Sequence, residues 1–141
     1  MPKFSLTSLE RLATCHEDLQ VLFSEVIKDC DCSILIGHRN QQDQDAAFAA
    51  GRSKLAFPHS QHNRLPAFAV DVAPYPINWE DYSRFYYFGG LVVGTAIKLF
   101  KEGRIKHRLR WGGDWNRNHQ VSDQRFNDLV HFELVEGSDD G

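Results

Sequence analysis

Leu129-Val-His-Phe-Glu-Leu-Val135 and Ala67-Phe-Ala-Val-Asp-Val72 decide the fold, because both alternate with the period of a strand. In the first, Val130, Phe132 and Leu134 fall on one face and His131 and Glu133 on the other. In the second, Phe68, Val70 and Val72 take one face while Ala67, Ala69 and Asp71 take the other. An alternating strand has one apolar face to cover, so helices are expected on that face. The opposite face carries ionisable groups, and the alanines beside Asp71 leave room above the sheet for a cleft.

Working outward, Thr7-Ser-Leu-Glu10 fits a capping box, and Leu9, Leu12, His16, Leu19, Phe23 and Val26 recur at helical spacing, predicting one long first helix. His16 lies on that stripe as a core or boundary residue. Ser33–Ile36 reads as a short buried strand, and Gln41–Ala50 as a helix with Gly51 placed to cap it. Residues 52–66 read as a polar loop, and Pro74 and Pro76 stop the strand that begins at Ala67. Trp79–Lys101 predicts the longest helix, closed by Gly103. Its aromatics Tyr82, Phe85, Tyr86, Tyr87 and Phe88 read as core or as a shield over the sheet. Ile105–Trp111 predicts a strand, residues 112–127 a long loop and Leu129–Val135 the last strand. The resulting fold class is α+β: a small, mainly antiparallel sheet with helices packed on it and a cleft on the sheet.

The 141 residues suit a single domain spanning 1–141, with residues 136–141 as a frayed polar tail. The chain carries 16 basic and 19 acidic residues, net −3, so it lacks the basic excess of a nucleic-acid or anionic-membrane partner. The apolar run Gly89–Phe100 contains Lys98 and is too short to span a bilayer. MPKFSLTSLERL has no apolar signal-peptide core, so synthesis in the cytoplasm is expected. Cys15, Cys30 and Cys32 read as reduced thiols, and Cys30-x-Cys32 lacks the second pair of a structural zinc site.

His62 precedes one ligand-bearing strand, and Asp71 and His131 lie on two of them. Two imidazoles and a carboxylate with an open position make a catalytic zinc shell, and zinc brings the pKa of a bound water towards neutrality. A carboxylate must then carry the proton. Asp128 is the candidate, three residues before His131. In a regular strand Asp128 would face away from His131, so a turn at the strand's start is expected. From spacing alone, seven histidines also supply chance triads.

Read together, the pieces say more. Gly37-His-Arg39, Gly51-Arg-Ser53, Ser60-Gln-His62, Ala69-Val-Asp71-Val, Pro74-Tyr-Pro76, Trp111-Gly-Gly-Asp-Trp115 and Asp128-Leu-Val-His131-Phe-Glu133 occur in this order. From about Ile34 to Leu134 the series resembles the zinc D-alanyl-D-alanine carboxypeptidase and L-alanyl-D-glutamate endopeptidase family, particularly its small phage members. The resemblance implies zinc held by His62, Asp71 and His131, with Asp128 as the catalytic base. It also implies that Arg39 polarises the scissile carbonyl and that Ser60 holds substrate. The spacing from His62 to Asp71 is longer than the family's commoner pattern. The serine two residues earlier selects His62 over His59 as the ligand. Glu133, on the face of His131, is placed either to hydrogen-bond that imidazole or to stand as a solvated edge charge.

The implied function is a phage or prophage endolysin, a monomer that hydrolyses the L-alanyl-D-glutamate bond of the bacterial peptidoglycan stem. It would wait in the host cytoplasm and reach the wall after membrane permeabilisation. Two alternatives are a D-alanyl-D-alanine carboxypeptidase, for which no group capturing a terminal carboxylate is identified, and a non-catalytic zinc module resembling the hedgehog signalling domain, against which Asp128 argues.

Overall fold

The structure, a computed structural model, describes residues 2–122 and 127–137. Its elements run α1 (Leu6–Leu12), α2 (Glu17–Asp29), β1 (Cys32–Ile36), α3 (Gln41–Ala49), a 3-10 turn (Gln61–Asn63), β2 (Ala69–Pro74), α4 (Tyr82–Lys101), β3 (Arg108–Gly112) and β4 (Asp128–Val135). The four strands form one sheet in the order β1-β2-β4-β3, and every neighbouring pair is antiparallel. The expected α+β architecture is the observed one.

The alternation quoted first does what it implies. Val70, Val72, Phe132 and Leu134 are buried beneath α2 and α4, which supply Leu19, Leu22, Phe23 and Val26 and then Phe88, Val92, Ala96 and Leu99. Phe132 lies at the centre, with the rings of Phe23, Phe88 and Trp111 around it at centroid distances of 5.6, 6.2 and 6.5 Å. Burying one such ring is worth about 1.5–3 kcal/mol, so this face dominates the sheet's stability. None of the helices among the described residues is long and apolar enough to cross a membrane.

The predicted first helix is two helices. Ser5, not Thr7, caps α1, its hydroxyl accepting from Ser8 N–H at 3.1 Å. The chain then leaves the helical path. Thr14 O accepts from Ala67 N–H at 3.0 Å and His16 N–H donates to Ala67 O at 2.8 Å. Those backbone groups are spent on tertiary pairing, which helical periodicity in a sequence does not reveal. His16 restarts the helix as a cap, Nδ1 accepting from Asp18 N–H at 2.9 Å.

β3 begins later than expected for a similar reason. The Asp18 carboxylate takes the N–H groups of Lys106 and His107 at 2.9 and 3.0 Å, leaving neither for the ladder. The same oxygen accepts from His107 Nδ1 at 2.8 Å. The His107 ring is thus bonded to Asp18. α4 starts at Tyr82, capped by Asp81, so Trp79 stands outside the helix.

The Cys15, Cys30 and Cys32 thiols are free. Burial pushes Cys15 and Cys32 up to about 12, which keeps them as inert thiols.

Asp18 ties α2 to the start of β3. Burial opposes its ionisation, but the bonds from the His107 ring and the two backbone N–H groups outweigh burial and lower its pKa. The stabilisation is therefore whole above the ordinary value of 3.8 and is lost as pH falls through the lower folded value. Asp18→Asn is expected to cost about 1–3 kcal/mol in urea unfolding at pH 7, with a difference from wild type that shrinks in acid.

Candidate metal centre and its cleft

Strand register brings the first two candidate ligands together. β2 pairs with β4 so that Asp71 lies directly opposite His131. Side chains opposite one another in an antiparallel pair are nearest neighbours on one face. His62 arrives from the 3-10 turn. Ser60 caps that turn, its hydroxyl accepting from His62 N–H at 3.2 Å, and Asn63 Oδ1 accepts from Ser60 N–H at 3.1 Å. Two backbone bonds fix the turn to its neighbours: Arg39 N–H to His62 O at 2.8 Å and Phe68 N–H to Gln61 O at 3.0 Å.

The donor atoms of His62, Asp71 and His131 all lie within 4.8 Å of one another, and all three residues are buried. Asp71 Oδ1 stands 3.2 Å from His62 Nε2 and 3.3 Å from His131 Nδ1. The far nitrogen of each ring is already committed. His62 Nδ1 lies 2.9 Å from Gly37 O, a carbonyl that can only accept, so this nitrogen carries the hydrogen. His131 Nε2 lies 2.7 Å from Glu133 Oε1. Burial opposes ionisation of Glu133, but His131 and then Arg110 outweigh it and hold the carboxyl below its ordinary range. Each neutral imidazole therefore turns a bare lone pair towards the same carboxylate oxygen.

Three acceptors facing inward require positive charge between them. A proton can supply it. Burial disfavours a charged His131, yet Asp71 and Glu133 more than offset this and push the ring up to about 9. Burial likewise works against the Asp71 carboxylate, and the bonds from His131 and His62 hold it well below the usual range. A divalent cation supplies the charge as well, and two nitrogens with one carboxylate oxygen is a donor set that zinc accepts. A second cluster, His16, Asp18 and His107, is equally close-set. There the His107 ring donates to the Asp18 carboxylate and His16 Nδ1 accepts from the Asp18 N–H, two contacts that stand without a cation.

A cavity of about 480 Å³ opens beside the buried triad and is also lined by Arg39, Ser60, Arg110, Trp115, Asp128 and Glu133. The triad, Arg39, Ser60, Asp128 and Glu133, all singled out from sequence, thus line one cleft. Asp128 belongs to β4, not to a preceding turn. The expected change of direction comes from the ladder: β4 pairs Phe132 with Trp111 but Asp128 with Gly112, a register shift that breaks the alternation between Asp128 and His131. Gly112 permits it, since a Cβ there would meet Asp128 O at 2.0 Å. Burial, and then the Asp71 charge, raise the Asp128 pKa.

The Arg39 guanidinium donates to Gln44 Oε1 at 3.0 Å. Gln44 is fully buried. Its oxygen also accepts from Asn63 Nδ2 at 3.2 Å, and its amide nitrogen donates to Ser53 Oγ at 2.9 Å and Leu55 O at 2.6 Å. One side chain thereby joins Arg39, the 3-10 turn and the loop forming the cleft wall. Arg110 pairs with Glu133 at 2.7 Å, and the Trp115 ring lies 5.4 Å from His131.

Gln44, Arg110 and the carbonyl of Gly37 were not singled out from sequence. Gly37 carried a signal, as a glycine directly after a strand. A Cβ there would meet Arg11 O and Thr14 Oγ1 at 2.3 Å, and this close approach sets the carbonyl that orients His62. Gln44 carried none, because a glutamine inside a short polar helix looks like any solvated residue.

The family model described as phage L-alanyl-D-glutamate peptidase matches residues 1–135. Among solved structures, the chain is similar to the Serratia marcescens L-Ala D-Glu endopeptidase ChiX. The TM-score is 0.70 at 24% identity, covering 94% of this chain and 90% of that one. That likeness shows a shared fold. Among curated proteins, none matches the chain significantly.

Removing an outer partner of a ligand imidazole typically weakens metal binding about 10–100-fold. Glu133→Ala is therefore expected to lower zinc affinity by about that factor in a competition titration against a chelator. An affinity equal to wild type would show that Glu133 does not orient His131.

Proposed function

Because the chain belongs to the phage L-alanyl-D-glutamate peptidase family, we propose that it is a zinc-dependent L-alanyl-D-glutamate endopeptidase acting as a phage or prophage endolysin. Membership makes it a peptidase of peptidoglycan. The zinc requirement and the lysis role are the further reading. One observation supports the metal above all: two imidazole lone pairs and a carboxylate meet at one buried point, both rings held there by partners outside the triad.

His62 Nε2, Asp71 Oδ1 and His131 Nδ1 would hold the ion. Zinc there supplies Lewis acidity at the scissile carbonyl and makes water nucleophilic at neutral pH. The chain's own groups do the rest. Asp128 takes a proton from the attacking water and returns it to the departing amine of D-glutamate. A carboxyl whose pKa is raised by burial suits that exchange, because a proton carrier works best when its pKa lies nearer the working pH. Arg39, held by Gln44, donates to the oxyanion as charge develops on the carbonyl oxygen. The Ser60 hydroxyl lines the cleft beside His62 and positions the substrate backbone. We further propose that the enzyme is a monomer, resides in the host cytoplasm, and meets the wall only after the membrane is breached.

Digestion of purified peptidoglycan with mass spectrometry of the products tests the bond. The reading predicts stem peptides that have lost L-alanine, whereas single alanines released instead would make the enzyme a D-alanyl-D-alanine carboxypeptidase. Asp128→Ala is expected to keep its metal and melting temperature while losing about 10²–10⁴ in kcat, the usual contribution of general acid–base catalysis. His131→Ala is expected to lose both metal and activity. A fully active Asp128→Ala would remove Asp128 from the mechanism.

A further inference from the structure

Asp128 lines two cavities. One is the cleft of the triad. The other is a groove of about 510 Å³ walled by Trp79, Tyr82, Phe85 and Tyr86 and floored by Asn127–Val130. The two sides of Asp128 differ in chemistry. Beyond the triad the cleft carries Arg39, Arg52, Lys54 and Arg110 against Asp128 and Glu133, an excess of basic groups. The groove is aromatic.

Trp79 is stacked on Phe85 at 5.5 Å and 15° between planes, which fixes the indole although it is 57% exposed. Tyr82 is 65% exposed on the same wall. The helix aromatics, read from sequence as core or shield, therefore divide: Phe85 and Phe88 are buried, while Tyr82 faces solvent beside Trp79. Large flat rings held open to solvent next to a reacting centre suit a ligand with an apolar face and a hydroxylated edge.

The proposed substrate has two such unlike halves. On the amine side of the scissile bond lies D-glutamate with a free carboxylate, followed by the rest of an acidic stem, which matches the basic wall. On the acyl side lie one alanine, a lactyl ether and then an N-acylated hexosamine, uncharged and pyranose-shaped. Alanine and lactyl together span about two residues, roughly 7 Å when extended. A sugar site must therefore begin immediately beside the catalytic groups, and a groove sharing Asp128 with the cleft does so.

Resting on the reading of the preceding subsection, we propose that the Trp79–Tyr82 groove binds the sugar ring bearing the stem peptide, making the enzyme one that reads glycan and peptide together. Trp79 stacks on the pyranose face, and Tyr82, beside it on the same wall, offers its hydroxyl to the ring substituents.

The test compares kcat/KM on two substrates: a disaccharide-linked stem peptide, and the lactoyl-peptide released from it by alkaline elimination, which keeps the scissile bond and lacks the sugar. Wild type is expected to prefer the first at least about tenfold, the ratio that one good stacking contact supplies. Trp79→Ala and Tyr82→Ala should each lose most of that preference, falling about tenfold on the disaccharide substrate and less than twofold on the lactoyl-peptide. Trp79→Phe, which keeps a ring in place, should restore it. Equal losses on both substrates, or none on the disaccharide substrate, would overturn the sugar assignment while leaving the endopeptidase reading intact. Failure of wild type to cut the alanyl-glutamate bond in either substrate would overturn both.

Discussion

The arrangement turns on one oxygen. Asp71 Oδ1 sits between two imidazole nitrogens at 3.2 and 3.3 Å, out of water, and neither nitrogen has a hydrogen of its own to spare in the neutral ring. Buried acceptors crowded together are costly unless something positive joins them. The surroundings do not relieve that demand. They enforce it: Gly37 O and Glu133 take the far nitrogen of each ring, so neither imidazole can turn its hydrogen inward without giving up an existing bond. The cost is met elsewhere in the fold by Phe132 and the helices over it, whose apolar burial carries a sheet with a polar opposite face.

The same logic separates this centre from its double. His16, Asp18 and His107 have the composition and closeness of a metal site, yet the His107 ring already donates to Asp18 and His16 Nδ1 already accepts from a backbone N–H. What distinguishes a candidate cation site is the direction in which its donors point. Here the second cluster holds α2 against β3 and stands as an internal brace.

Much of this was legible in the sequence because it depends on short periods. Strict alternation in Ala67–Val72 and Leu129–Val135 gives the sheet, its buried face and the side on which Asp71 and His131 stand. The motif order carries Arg39, Ser60 and His62 to the same cleft. What escaped depends on pairing between distant segments. The break between α1 and α2 follows from Ala67 claiming the backbone of Thr14 and His16. The orientation of Asp128 follows from a register shift against Gly112. Gln44 joins Arg39, Ser53, Leu55 and Asn63, a role that no local pattern encodes.

X-ray absorption at the zinc edge of the metal-loaded protein tests the central claim most directly. The account predicts a first shell of light atoms only, nitrogen and oxygen at about 2.0–2.2 Å, with the multiple scattering of two imidazoles. A shell containing sulfur at about 2.3 Å, or one lacking imidazole scattering, would place the ion away from His62, Asp71 and His131 and contradict it.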